Sequence, residues 1–513
     1  MTEAHLVGRF VSDRARAMPT TVAVDDRGVS LTYGELDTRS TALAERLTDA
    51  GYGPGDWVAT LTGNSADHVV LFFACAKAGL VLVPLSWRLS TRELTSQLEQ
   101  ADVALLLTED EFDRHARDAA ARLPVPPPVT ALGTGGVEHH APARSWAPEE
   151  GRELHDDSPL LMLFTSGTSA GPKAAVLTHA NCFWTSLAVS RTLPIRRDDV
   201  VLSVLPQFHV GGWTVQALLA WWVGATVVLE RTFHPGRVLQ LIAAKRVNTM
   251  MGVPSHYLFL AQHPDFPAAD LASRRYAVVG GASMPEALLR TWHARDVDLA
   301  QGYGLTEASP NVLCREPEQV RERVGWAGRP YPHVDVALAD PVTGQQLADG
   351  PAAGELLVRG PSVFAGYWRN PAATALALRD GWLHTGDLAR RDAEGYHQII
   401  DRVDDVSISG GENVSPAEVE NVLFTHPAVA DAAVVGHLDA RWGEVGVAYV
   451  VTRAGCHTDG EELLELCRSA LAPFKVPAAV TFVAELPRSA VGKVFRRQLR
   501  SERPRLDAGK GAR

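Results

Sequence analysis

LMLFTSGTSAGPK, residues 161–173, runs an apolar strand into a small, hydroxyl-rich, glycine-bearing loop that ends in lysine. Glycine lets backbone N–H groups turn toward an anion, Thr165, Ser166, Thr168 and Ser169 add hydroxyl donors, and Lys173 adds a full positive charge. The loop therefore reads as a phosphate cradle, although the same composition also suits an ordinary Ser/Gly/Pro turn. It is not a Walker A sequence, because Pro172 separates Gly171 from Lys173 and neither Ser nor Thr follows the lysine. Nucleotide chemistry at this loop must be of another kind.

Outward from this segment, apolar runs such as LVLVPL (80–85), VALLLT (103–108), TVVLE (226–230) and YAVVGG (276–281) alternate with helical stretches such as 31–51. That alternation predicts an α/β fold with buried sheets. A chain of 513 residues exceeds what one core supports, so more than one structural unit is expected. Residues 113–158, rich in Ala, Pro, Gly and His and including PVPPPV, read as an exposed excursion. The uncharged run Val210–Leu229 is long enough to span a bilayer, but Gly211–Gly212 and Gly224–Ala225 divide it into a buried helix and a buried strand. No membrane span is expected.

A formal charge of −11 and a pI near 5.9 disfavour nucleic acid or an anionic membrane as partner. Cys75, Cys182, Cys314, Cys456 and Cys467 are scattered, with no CxxC pair and no metal-ligand spacing, which predicts reduced thiols and a cytoplasmic location. The N-terminus lacks the long apolar stretch of a secretory signal. A homodimer is left open.

Further segments follow in order: VVLSVLPQFHVGG (200–212), VVGGASMP (278–285), QGYGLTEAS (301–309), DGWLHTGDLARRDAEGYHQIIDRVDDVSISGGENVSP (380–416) and PRSAVGKVFRR (487–497). With these the chain resembles the adenylate-forming superfamily of acyl-CoA synthetases, peptide-synthetase adenylation domains and luciferases, from about Leu31 to Arg500. The resemblance implies a large N-terminal AMP-binding domain of layered α/β subdomains, residues 1–403. It also implies a small mobile α+β lid, residues 404–513, whose tail after about residue 500 is expected to be disordered. The implied chemistry is attack of a small-molecule carboxylic acid on the α-phosphate of ATP, giving acyl-AMP and pyrophosphate, then transfer to a second nucleophile. Both first-step reactants are anions, so the protein needs cations and directed dipoles more than a covalent nucleophile.

By the same resemblance, Thr165, Ser166, Gly167, Thr168, Ser169 and Lys173 would hold the β- and γ-phosphates. The usual family loop, TSGTTGxPKG, is altered here at Ala170 and Ala174. Gly281, Ala282 and Ser283 would line the adenine edge, and Gln301, Gly302, Tyr303 and Gly304 would continue it, with Tyr303 against the base. Thr306 would donate to the α-phosphate. Glu307 would bind Mg2+, a hard cation that takes one or two carboxylates and completes its shell with phosphates. Asp387 would accept both ribose hydroxyls, as an ionised carboxylate can, and Arg402 would assist beside it. Lys493 would bridge the substrate carboxylate and the α-phosphate, and Asp404 would be the hinge of the lid.

His209 would stand at the entrance of the acyl pocket, whose further candidates are Trp184, Trp213, Met251, Gly280, Gly304 and Pro310. For the two tryptophans ordinary core packing is an equal alternative. The tandem Gly410–Gly411 resembles acyl-CoA synthetases, and lack of side chains there would let a pantetheine arm pass close to backbone. Coenzyme A is the expected acceptor. The alternatives are an amine, as in an amide bond synthetase, and a carrier protein; a degenerate nucleotide-binding protein is disfavoured because Glu307, Asp387, Arg402 and Lys493 are all present.

Overall fold

The computed structural model describes residues 5–133, 153–165, 172–282, 284–402, 407–409, 412–439, 443–488 and 494–501. Among these residues the strands form four sheets. The apolar run that opens the phosphate-loop segment is the strand Pro159–Thr165, parallel to Val81–Leu85 and antiparallel to Lys173–Thr178. Its sheet continues through Trp57–Leu61 and Leu105–Thr108 to Val129–Ala131. WVATL and VLVPL are buried at every position, because helices cover both faces of this largely parallel sheet.

A second sheet, mostly parallel, carries Val200–Ser203, Thr226–Leu229, Thr249–Gly252, Ala277–Val279 and Leu299–Gly304. Between the two sheets lies the helix Ala66–Ala78, which is apolar nearly all round and belongs to one continuous core with strands of both. Its start is set by Ser65, whose side chain accepts from the His68 N–H, and its end by Gly79 at φ 74°. Tyr33–Asp49 begins on a capping box of Thr32 and Glu35, and His179–Thr192 on one of Thr178 and Asn181.

The uncharged run predicted to divide does so: Ala217–Val223 is a helix, Thr226–Leu229 a strand, and Gly224 between them has φ 98°. Among the described residues no helix is long and apolar enough to cross a membrane. All five cysteines are free.

One expectation needs correction. The excursion predicted from residue 113 onward begins with a regular helix, Asp113–Ala120, and returns a strand, Val129–Ala131, to the sheet edge. Ala116, Ala119 and Ala120 form a buried stripe there, a signal obscured by the neighbouring PVPPPV. After residue 407 the α+β lid implied by the resemblance carries Val429–Asp439 and Gly443–Thr452, a long antiparallel pair with Ala479–Phe482 parallel on its edge.

A third, antiparallel sheet joins Asp335–Ala339, Ala352–Arg359 and Trp382–Arg391, with His397–Arg402 also paired to the last. Strand membership passes from this sheet to the fourth between residues 402 and 407. The carboxyl ends of the parallel strands thus deliver Gly280, Gly304 and the 204–212 loop to one side of the second sheet. That is where open α/β sheets bind ligands.

Candidate active site

Tyr303 lies on the strand Leu299–Gly304, and its hydroxyl donates to Asp387 Oδ2 at 2.6 Å. Asp387 comes from Trp382–Arg391 in the third sheet, opposite Arg402 in the ladder. Its own N–H donates to Thr385 Oγ1, which in turn donates to Leu356 O at 2.7 Å. The preceding Gly386, at φ 70°, donates its N–H to Glu355. Tyr303 thereby holds the carboxylate of a largely buried aspartate, while Thr385 and Glu355 hold the backbone around it. The strand bearing Tyr303 packs so tightly on the chain that follows it that a Cβ on Gly304 would lie 1.4 Å from Pro310 O.

These residues open on a cleft of about 460 Å³, lined by Gly281, Ala282, Gln301, Tyr303 and Asp387 and, from the other side, by Glu420, Asp431, Arg488 and Arg496. Gln301 is buried, and its Oε1 accepts no hydrogen bond from the described residues. A buried acceptor without a donor among the described residues, a carboxylate beside a tyrosine hydroxyl and a floor of small residues match a nucleoside with an exocyclic amine. Burial pushes the Asp431 carboxyl above its usual range, opposed by Arg488 at 2.6 Å.

Lys173 and Glu307 meet across Tyr367. The strand Gly366–Tyr367 pairs beside Lys173–Thr178, the Lys173 ammonium lies 5.1 Å from the Tyr367 ring centroid, and the Tyr367 hydroxyl donates to Glu307 Oε1 at 2.7 Å. The Phe364 N–H donates to the Glu307 carbonyl, which secures the short turn Thr306–Ala308. Thr165 faces Lys173 in the hairpin ladder. The described residues contain no group of three or more His, Cys, Asp or Glu able to hold a metal by themselves. A single half-buried carboxylate beside a lysine instead suits Mg2+ brought in with phosphates, which would supply charge neutralisation there.

At the neighbouring strand ends a Cβ on Gly280 would lie 3.0 Å from Met251 Cε and 3.2 Å from Gly302 O, so Met251, Gly280, Gly302, Gly304 and Pro310 are contiguous. His209 sits in the loop before the turn Val210–Gly212, its ring 4.8 Å from that of Phe208. Trp213 is fully buried, stacked on Phe72 at 4.6 Å and edge-on to His68 at 5.1 Å, which is core packing. Trp184 is half-buried between Phe183 and His333. Of the acyl-pocket candidates only Gly304 lines the cleft; Trp184, Trp213, His209, Met251, Gly280 and Pro310 are not among its lining residues.

Ser166, Gly167, Thr168, Ser169, Ser283, Asp404, Gly410, Gly411 and Lys493 lie outside the described residues, as does the side chain of Arg402. The chain on either side of Lys493 is anchored: Arg488 and Val494 form a β-bridge, Arg488 pairs with Asp431, and Arg496 pairs with Glu420. Sequence reasoning missed Tyr367. The only signal available was its place in GYWRNP, a turn-like stretch far from every motif.

The sequence matches the family model described as AMP-binding enzyme over residues 11–368, and the AMP-binding enzyme C-terminal domain over residues 418–493. The chain belongs to the AMP-binding enzymes. Among the relatives of this AMP-binding enzyme is a feruloyl-CoA synthase of Amycolatopsis sp, 41% identical over 96% of this chain and 98% of that one. ATP-bound MatB from Rhodopseudomonas palustris superimposes with a TM-score of 0.87, at 30% identity, over 97% of this chain and 98% of that one. The amide bond synthetase McbA from Marinactinospora thermotolerans does so with a TM-score of 0.85, at 33% identity, over 97% and 99%. The fold is that of the adenylate-forming superfamily.

Proposed function

We propose that the chain is an AMP-forming acid–thiol ligase, which activates a carboxylic acid with ATP and transfers the acyl group to coenzyme A. The observation that supports this reading is a ribose-type acceptor, Tyr303–Asp387, lining the cleft, with a phosphate-type pair, Lys173 and Glu307, linked through Tyr367 on neighbouring segments. In the first step a carboxylate oxygen attacks the α-phosphorus in line, the bond to the bridging α–β oxygen breaks, and pyrophosphate leaves. Asp387 accepts the ribose hydroxyls and Tyr303 flanks the base, so the reacting phosphorus is held at a fixed place. Lys173 and the loop hydroxyls Thr165, Ser166, Thr168 and Ser169 carry the outer phosphates, Glu307 holds Mg2+, and Thr306 donates to the α-phosphate. Lys493 offsets repulsion between the two anions. In the second step the thiolate of coenzyme A attacks the acyl carbonyl and AMP leaves.

The two bodies, residues 1–403 and 404–513, would alternate about Asp404 between these steps, with Gly410–Gly411 beside the thiol arm. His209, Met251, Gly280, Gly304 and Pro310 form the acyl side of the site in this reading; Trp213 serves the core. The five unpaired cysteines support a reducing, cytoplasmic setting. Aryl acids head the substrate panel, because a feruloyl-CoA synthase is the relative that shares 41% of aligned residues.

Pyrophosphate release measured with an acid panel, with and without coenzyme A, tests the reading. Acid-dependent release that coenzyme A accelerates, with a thioester as product, is the expected result. Turnover with free amines and indifference to coenzyme A would replace it by amide synthesis, the activity in the name of McbA.

A further inference from the structure

The loop that presents His209 is held by a buried polar cluster that the nucleotide site does not use. Asn64, 3% exposed, precedes the cap of the helix Ala66–Ala78. Its Nδ2 donates to Leu205 O at 2.9 Å and Glu230 O at 3.0 Å, and its Oδ1 accepts from the Gln207 N–H at 2.8 Å. Both donor hydrogens and the acceptor are engaged. Neither an aspartate nor an apolar isostere reproduces that set.

Gln207, 1% exposed, continues the cluster. Its Oε1 accepts from the Ser65 N–H at 3.2 Å and meets His68 Nδ1 at 3.2 Å, while its carbonyl accepts from Trp213 Nε1 at 2.5 Å. His68 Nε2 faces Thr60 Oγ1 at 3.1 Å. Burial pushes this imidazole down to about 4, so the ring is neutral near pH 7. Thr62 Oγ1 also lies 3.1 Å from Nδ1; a proton on Nδ1 would let it donate toward Gln207 while Nε2 accepts from the Thr60 hydroxyl.

The backbone around His209 has equally little freedom. The His209 N–H donates to Pro206 O and the Gly212 N–H to His209 O, closing the turn on both sides. A Cβ on Gly212 would lie 2.4 Å from Pro206 O, and one on Gly211 would lie 2.9 Å from Leu205 Cδ1. Gln207 Nε2 is buried without a hydrogen-bond partner among the described residues, so the cluster is held through Asn64 and the two Gln207 oxygens; such directional contacts inside a core specify one arrangement, where apolar packing alone tolerates several.

We propose that Asn64 and Gln207 are positioning residues for the acid half-reaction: through the 205–213 loop they fix the place at which His209 meets the carboxylate-bearing substrate. The proposal rests on the role given to His209 above. A group displaced by about 1 Å loses on the order of a hundredfold in rate, so a loop clamped at its base can matter to catalysis without touching substrate. ATP recognition is made on other strands and would be left as it is.

The test measures acid-dependent ATP–pyrophosphate exchange for Asn64→Ala and Gln207→Met, each alone and combined with His209→Ala, in the full chain. Each single variant is expected to lower kcat/KM for the acid by about tenfold while KM for ATP stays within about twofold of wild type. In the His209→Ala background the same substitutions are expected to cost less than about twofold, because the residue they position is gone. Losses that multiply with that of His209→Ala, or that fall equally on ATP, overturn the proposal and leave the cluster a core feature. An unchanged His209→Ala removes the role of His209 first, and the proposal with it, so the two failures are told apart. Should Asn64→Ala not fold, Gln207→Met, which keeps length and nearly keeps volume, carries the comparison alone.

Discussion

Tyr367 joins Lys173 and Glu307, the two charged groups proposed for the phosphate side, and removing one oxygen from it separates their contributions. In Tyr367→Phe the ring under the Lys173 ammonium, 5.1 Å from its centroid, remains, while the 2.7 Å hydrogen bond to Glu307 Oε1 is lost. The backbone of residue 367 does not depend on the hydroxyl, since its N–H is held by Thr374 Oγ1 at 2.9 Å. Partners that orient a ligating carboxylate are typically worth about 10- to 100-fold in metal affinity. The low end is expected here, because Glu307 is only half-buried and phosphates would supply most of the shell of a bound Mg2+. Half-saturating Mg2+ in the exchange assay, at fixed ATP, is therefore expected to rise about tenfold, equivalent to about 1.4 kcal/mol. Tyr367→Leu removes the ring as well and should add a further rise in KM for ATP of about threefold, the size of a partly exposed cation–π contact. A Tyr367→Phe enzyme with wild-type Mg2+ dependence would refute the assignment of Glu307 to the metal through this contact.

Asp387→Asn keeps the shape of the side chain but turns a charge-assisted acceptor into a neutral one, and KM for ATP is expected to rise about tenfold with little change in KM for the acid; a rise confined to the acid would contradict a ribose role. Lys493→Ala should lower acyl-AMP formation by about a hundredfold or more, on the order of 3 kcal/mol, while preformed acyl-AMP and coenzyme A still react at near wild-type rate. Equal loss in both half-reactions would make Lys493 structural. Burial pushes His68, His179, His256 and His397 down to about 4 each, below the ordinary value of 6.5, so the unfolded chain binds more protons between those limits. Their contribution to stability is complete above about pH 6.5 and is lost as pH falls toward 4; a urea midpoint that does not fall between pH 7.5 and pH 5 would contradict this.

The α/β class could be read from the sequence because the parallel strands are buried on both faces, so their apolar runs stand out without alternation. Val210–Leu229 shows how far local chemistry reaches: its glycines predicted a break, and Gly224 takes the left-handed conformation that makes one. Where local signals compete, reading failed. The alanine stripe of Asp113–Ala120 is weaker than the proline run beside it, and only its packing under the first sheet reveals a helix.

The site divides along the same line. Residues whose function lies in backbone geometry announce themselves by type: a Cβ at Gly304 or Gly280 would meet backbone or a fixed side chain, so glycine there is dictated by space. Asp387, inside the dense motif HTGD, was singled out by its neighbours, and the structure places it on the cleft. Tyr367 and Gln207 were not, because a tyrosine or glutamine is common on any surface or in any core, and nothing in its flanks says what lies across the sheet. What makes Tyr367 matter is the pairing of Gly366–Tyr367 beside Lys173–Thr178, a contact between segments nearly two hundred residues apart in sequence. Trp213 shows the opposite limit: its motif neighbours left pocket wall and core packing as equal alternatives, and the structure decides for the core, where the side chain fills space between the sheets next to Phe72 and His68. Position beside a motif therefore locates backbone and charge at the site, while the destination of a large apolar side chain is decided by which neighbouring element is close enough to bury it.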